Sequence, residues 1–179
     1  MRDALAAGAR GVDLLVSTGG VSVGEHDLVR GVLSEDGLQI DFWEIAMRPG
    51  KPLMSGRYRG TPMIGLPGNP VSTLVCSLLF LKPAMERLAG LPDKSEPQQM
   101  ARLGRDLRQN DRRQDYLRST LTRAADGVLE ATPFPVQDSS MMRPLASSDC
   151  LVIRPPHAPA ASVGTMVPIV TFPGGAWPL

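Results

Sequence analysis

Cysteine, histidine and net charge are all scarce in this 179-residue chain. Its two cysteines, Cys76 and Cys150, stand far apart without a ligand-like companion. That argues against a disulfide-stapled secreted domain and for buried thiols in a reducing, cytoplasmic setting. The two histidines, His26 and His157, lack a second His or Cys at metal-ligand spacing, which argues against a zinc site. A formal net charge of +1 supplies no global drive toward nucleic acid or an acidic membrane. No apolar run is long enough to span a bilayer: the longest, near 71–81, is closed by Lys82-Pro83 and reads as a core helix. The N-terminal residues show no apolar h-region of a secretory signal. What remains is an ordinary globular composition, 42% hydrophobic and 21% charged, at a length that suits one domain or two small ones.

Three stretches carry chemistry. In the first, from Asp13 to Asp27, Leu14, Leu15 and Val16 suit a short strand buried on both faces, and Ser17-Thr18-Gly19-Gly20 stops it. Glycines let a ligand come close to backbone amides, and Ser17, Thr18 and Ser22 add hydroxyl donors. A helix is expected from about Asp27 to Leu33, which makes the stretch an anion-binding corner. Asp27 would repel an oxyanion unless a cation or a proton lay between them. The second stretch is Met47-Arg48-Pro49-Gly50-Lys51-Pro52, two cations in a turn stiffened by proline and shaped by glycine. Two like charges held together favour an anion, Arg gripping it with a planar fork and Lys acting as a point charge. The third is Gly65-Leu66-Pro67-Gly68-Asn69-Pro70-Val71-Ser72, where Asn69 is a good N-cap and Pro70 a good first helical residue. Free amides near Val71 and Ser72 would suit a second anion.

Along the chain, Arg2 to Ala9 reads as a helix and 39–47 as a strand whose alternation shifts at Phe42-Trp43, which requires a bulge or two-sided burial. Segments 53–57 and 61–66 form a hairpin around Tyr58-Arg59-Gly60. The pattern of Val71, Leu74, Val75 and Leu78 predicts a helix over 70–89. Alternating strands and helices indicate an α/β layer. The polar 91–97 stretch marks a linker between a domain at 1–90 and one at 98–173, with 174–179 as a loose tail. In the second domain, short strands near 100–108, 116–123, 128–134, 150–154 and 166–172, separated by turns such as Ala125-Asp126-Gly127, predict a small barrel or sandwich. Trp43 and the Met141-Met142 pair read as packing residues.

Taken together, Thr18-Gly-Gly-Val-Ser-Val-Gly-Glu-His-Asp27, Met47-Arg-Pro-Gly-Lys-Pro52 and Gly65-Leu-Pro-Gly-Asn-Pro-Val-Ser72 resemble, in order, the molybdopterin molybdenumtransferase family, MoeA and the E domain of gephyrin. The likeness continues through Arg112-Arg-Gln-Asp-Tyr-Leu-Arg118 and Gln137-Asp-Ser-Ser-Met141, to about Phe172. It implies a partial three-layer α/β molybdopterin-binding domain followed by a small all-β barrel-like domain. It also implies insertion of molybdenum from molybdate into adenylylated molybdopterin, with AMP release and dependence on Mg2+ or another divalent cation.

By resemblance, Asp27 holds that cation near the phosphates, and Arg48 and Lys51 face molybdate or phosphate. Pro52 and Ser72 line the same pocket, while Arg118 and Ser139 reach the oxyanion from the small domain. Ser17, Thr18, Gly19, Gly20, Ser22, Gly68, Asn69 and Pro70 complete the ligand-binding set. The first cation of the turn is often Lys in the family and is Arg here, which keeps the charge and changes the reach. Set against the family, Met1 falls about halfway through the pterin-binding domain. The expectation is therefore a fragment or shortened frame, a homodimer, or another chain supplying the missing half.

Each residue also has a plainer reading. Asp27 alone is a helix-start residue. Arg48 and Lys51 alone are solvated turn charges, and Arg118, among Arg112, Arg113, Arg123, Asp111 and Asp115, belongs to a solvent-facing mixture. One alternative function is a non-catalytic pterin- or anion-binding scaffold module. A nucleic-acid binder using the arginines of 102–123 is disfavoured by the near-neutral total.

Overall fold

The computed structural model describes residues 2–19, 36–92 and 99–172, except for the side chain of Arg2. The chain divides into two compact units, residues 1–45 with 50–93, and residues 46–49 with 94–179.

In the first unit the alanine-rich start forms helix α1 (Arg2–Gly8). Strands β1 (Leu15–Thr18), β2 (Leu38–Phe42), β4 (Met54–Tyr58) and β5 (Thr61–Leu66) form a four-stranded sheet in the order β1-β5-β4-β2. β1 runs parallel to β5, while β4 is antiparallel to both β5 and β2. The alternation defect at Phe42 is a bulge: Ile40 faces Gly56 but Phe42 faces Ser55, leaving Asp41 as the extra residue. Gly56 is needed there, because a Cβ on it would lie 2.2 Å from the Gln39 carbonyl oxygen. The hairpin turns on Arg59 and Gly60, both at positive φ (49° and 87°), the backbone of a two-residue turn that follows the strand twist. Leu15, Leu38, Trp43, Met54, Tyr58 and Met63 form the core of this unit, so Trp43 is a packing residue.

β1 is not buried on both faces. Leu15 is buried but Val16, on the opposite face, is 37% exposed.

The expected 70–89 helix is present with an interruption. Helix α2 (Pro70–Cys76) widens into a π turn (Ser77–Leu81) and resumes as α3 (Lys82–Leu88). Pro83 explains the site of the widening. It lacks an N–H and its ring crowds the carbonyl four residues back, and the preceding Lys82 N–H bonds the Ser77 carbonyl five residues back. Val71 and Val75 are buried; Leu74 and Leu78 are only partly covered.

The second unit contains β3 (Met47–Arg48), β6 (Gln99–Leu103), β7 (Gln114–Arg123), β8 (Leu129–Pro133), β9 (Cys150–Arg154) and β10 (Met166–Thr171). They follow the order β3-β7-β8-β6-β10-β9, and β9 pairs back onto β7. Five strands therefore close into a barrel, with β3 added parallel to the start of β7. The expected turn at Ala125-Asp126-Gly127 joins β7 to β8, with Gly127 at φ 80° and Asp126 accepting from the Val128 N–H. Ala101, Leu103, Ala131, Cys150, Val152, Val167 and Ile169 fill the interior. A short helix, α4 (Met142–Ala146), was not foreseen. At its start Met141 and Met142 are each 43% exposed, so this pair does not fill the core. Only Leu145 of that helix is buried.

Candidate functional site

In the first unit, three sequence stretches arrive at one end of the sheet. Ser17 and Thr18 end β1 opposite Gly65 and Leu66 of the parallel neighbour β5. The Gly19 N–H donates to the Leu66 carbonyl at 3.1 Å. Gly19, at φ 75°, comes so close to Gly68 that a Cβ on Gly68 would stand 3.3 Å from the Gly19 Cα. Because β4 runs antiparallel and Met54 faces Gly65, the Lys51-Pro52-Leu53 segment enters the sheet at this same end. The carboxyl ends of adjacent parallel strands are where open α/β sheets bind ligands.

Asn69 caps α2, its Oδ1 accepting from the Val71 and Ser72 N–H groups at 3.1 and 3.3 Å. These amides are therefore not free, which corrects the expectation that they await an anion. The same side chain that starts the helix is the acceptor that occupies them. Thr73 adds a second tie, its hydroxyl donating to the Pro67 carbonyl and, at 2.9 Å, to the Asn69 carbonyl. Pro70 is at the first turn and Ser72 is buried.

The cationic turn is divided between the units after Pro49. Lys51 belongs to the first, where its ammonium lies 3.0 Å from Glu44 and its carbonyl accepts from the Ile45 and Leu53 N–H groups. Arg48 belongs to the second, and the Arg48-Pro49 peptide is cis. The Arg48 guanidinium makes two hydrogen bonds to Asp115 and one of 3.2 Å to Asp111. Its pKa is raised, first by the hydrogen bond to Asp115 and against the cost of burial. The two cations are thus not a bare like-charged pair, because each already has a carboxylate.

Arg48, Asp111 and Asp115 border a cleft of about 320 Å³ in the second unit, whose wall also includes Asn110 and Arg154. Asn110, which no sequence motif singles out, donates to the carbonyls of Arg113, Arg154 and Pro155. Arg113 supplies a backbone N–H to Asp111, the main reason that carboxyl titrates below its usual range.

Arg118 is not in a solvent-facing mixture: it is 1% exposed, because it lies on the strand shared by both barrel seams. Its Nε donates to Gln137 Oε1, and its Nη1 donates to the carbonyls of Asp138 and Met141. Desolvation by burial lowers its pKa, with the Asp138 charge opposing. Ser139 lies half-buried on the segment those bonds hold. Gly20, Ser22 and Asp27, and the helix expected after Asp27, lie outside the described residues. Among the described residues no three His, Cys, Asp or Glu side chains are grouped to hold a metal ion. The ligand set for a divalent cation is therefore not found among them. No described helix is long and apolar enough to cross a membrane.

Comparison with known proteins places this architecture in a class. The family described as "Probable molybdopterin binding domain" matches residues 1–87, and the "MoeA C-terminal region (domain IV)" matches residues 100–172. The chain is an α/β domain of the first family followed by a MoeA-type barrel domain. More particularly, it belongs to the molybdopterin molybdenumtransferase (MoeA) family, of which it represents part of the length.

It is 32% identical to the Haemophilus influenzae molybdopterin molybdenumtransferase over 161 residues, 89% of this chain and 40% of that protein. It is 29% identical to the Bacillus subtilis molybdopterin molybdenumtransferase over 93% of this chain and 39% of that one. The molybdopterin biosynthesis MoeA protein of Pyrococcus horikosii superposes with a TM-score of 0.74 at 25% identity, over 97% of this chain and 40% of that chain. The chain thus spans about 40% of the length of the curated relatives it matches.

Proposed function

We propose that this chain serves molybdenum cofactor biosynthesis, contributing to insertion of molybdenum from molybdate into adenylylated molybdopterin with release of AMP. One observation carries the reading: Thr18-Gly19, Lys51-Pro52 and Pro67-Gly68 come to one end of one sheet, at the carboxyl ends of two parallel strands. The relatives are named for this transfer. The glycines at 19 and 68 keep that end free of side-chain bulk, so a flat pterin or a phosphate has backbone to approach. Lys51 sits at the same end and offers positive charge once Glu44 yields it to a stronger anion. Little covalent protein chemistry is required. The chain's part is to hold oxyanion and phosphate close together and to balance their charge as the anhydride opens. The buried thiols of Cys76 and Cys150 suit a reducing compartment such as the cytoplasm.

One observation favours a second reading, a pterin-binding module without turnover: both cations of the turn are already matched by carboxylates. Titration of the purified chain with adenylylated molybdopterin and molybdate separates the two. Binding with AMP release supports the transferase reading, in which Asp27→Ala in a complete protein should abolish release and leave the fold intact. Binding without release supports the module, and absence of binding overturns both.

A further inference from the structure

Arg48 is shared by two carboxylates that are held in different ways. Asp115 is 5% exposed and takes two bonds from the guanidinium, at Nε and Nη2. Asp111 takes one, at 3.2 Å from Nη1, and 47% of its side chain is exposed. A fork on a buried carboxylate is a strong tie, whereas a single bond between two exposed groups is a weak one. The same Asp111 Oδ2 also lies 3.5 Å from Arg113 Nη2. One carboxylate oxygen thus stands where two guanidinium groups converge, at the border of the cleft of about 320 Å³.

The main chain at Asp111 is fixed independently of that oxygen. Its N–H donates to Asn110 Oδ1 at 2.9 Å, and its carbonyl accepts from the His157 N–H at 2.7 Å. Behind it, the side chains of Asn110 and Arg154 tie the 108–113 stretch to 154–158 through main-chain carbonyls. Displacing the carboxylate therefore takes a side-chain rotation and no loop movement. Arg108 and Arg154 also line the cleft, so with Asp111 withdrawn its wall carries three guanidinium groups against the single carboxylate of Asp115.

We propose that Asp111 is a built-in competitor, a carboxylate that occupies Arg48 and Arg113 in place of an external oxyanion and so sets the affinity of the cleft, while Asp115 keeps Arg48 in position throughout. This rests on the reading that the cationic turn meets an anion, and it adds the group that weakens that meeting. A competitor that must leave before any ligand enters lowers the affinity for every ligand by one and the same factor.

The test titrates the full chain with inorganic phosphate and, separately, with molybdate, at constant ionic strength. The variants are Asp111→Asn, Asp111→Ser and Arg48→Ala/Asp111→Asn. Asn and Ser each keep an acceptor for the Arg113 N–H, now 2.8 Å from Asp111 Oδ1, and lose the charge, so urea midpoints should stay near the wild type. Both single variants should bind each probe more tightly, by about three- to tenfold, and by the same factor for phosphate and molybdate. Removing Arg48 as well should abolish the gain. Equal or weaker binding by the single variants, a gain confined to one probe, or a gain that survives the loss of Arg48 would each overturn the proposal. If the wild type releases AMP from adenylylated molybdopterin while Asp111→Asn gains nothing, the proposal alone fails. If no variant binds either probe, the proposal fails together with the anion reading of the turn.

Discussion

Arg48 meets Asp115 edge-on, Nε donating to Oδ1 at 2.9 Å and Nη2 to Oδ2 at 2.5 Å. One guanidinium thereby satisfies both oxygens of a carboxylate that is only 5% exposed. The geometry explains why Arg suits this position, since an ammonium cannot match both oxygens. Removing Arg48 leaves a desolvated carboxylate without its fork. Because Arg48 is itself partly exposed, Arg48→Ala should cost about 1–3 kcal/mol, with Arg48→Lys in between. Lys51→Ala breaks only an exposed pair with Glu44 and should cost less than about 1 kcal/mol. Urea denaturation of the three variants checks the ranking, and equal losses for Arg48 and Lys51 would contradict it.

Gly56 makes a very close backbone approach in the first sheet. A Cβ there would meet the Gln39 carbonyl at 2.2 Å and the Ile40 Cα at 3.1 Å, both backbone atoms of the bulged strand. Gly56→Ala should therefore destabilise the chain by about 1–3 kcal/mol. Gly60→Ala, with open space but φ 87°, should cost about 1–2 kcal/mol from backbone strain alone. Thermal unfolding of each variant tests this, and the Gly56 change should also raise exchange at β2.

Asn69 is the side-chain cap of α2 among the described residues. Asn69→Ala should lower stability by about 1 kcal/mol, and Asn69→Asp should largely retain it. Asn69→Ala also exposes the Val71 and Ser72 amides that the native side chain occupies. If an anion then binds more tightly to the variant, measured by molybdate titration, the cap competes with ligand. If it binds more weakly, Asn69 shapes the site.

Burial pushes the thiols of Cys76 and Cys150 up to about 12 from an ordinary 9.0, with Asp149 adding to the effect at Cys150. A folded-state value above the unfolded one means that the native chain keeps protons the unfolded chain gives up at alkaline pH. Stability from this source is complete below pH 9.0 and declines as the pH rises toward 12. The slope is at most about 1.4 kcal/mol per pH unit for each thiol. Denaturation midpoints at pH 8, 9.5 and 10.5 should show the decline, and Cys150→Ala should flatten it. Alkylation of the native chain at pH 8 should be slow at both positions.

What was legible in the sequence follows from the range of the interactions. The bulge near Phe42, the Arg59-Gly60 turn, the Asn69-Pro70 helix start and the five barrel strands are all written in neighbouring residues, by alternation, positive-φ glycine or capping chemistry. Some of the misreadings involve a distant partner. Nothing local to Leu15-Val16 says that β1 pairs on one side only among the described residues. Nothing around Arg118 says that its guanidinium will be taken up by Gln137, Asp138 and Met141. The charge of Arg48 looked unspent only because Asp111 and Asp115 lie more than sixty residues further along. The exposure of Met141 and Met142, by contrast, has a local cause, a helix too short to show a hydrophobic period.

Strand β3, residues Met47 and Arg48, is borrowed from one half of the chain by the other. A shortened gene encoding only residues 94–179 would consequently yield a barrel whose leading strand is uncovered at Gln114 and Asp115, with Asp115 stripped of its guanidinium. Dissection at the polar linker is thus a subtraction from both pieces, and complementation by a peptide spanning residues 44–51 should restore what the cut removes.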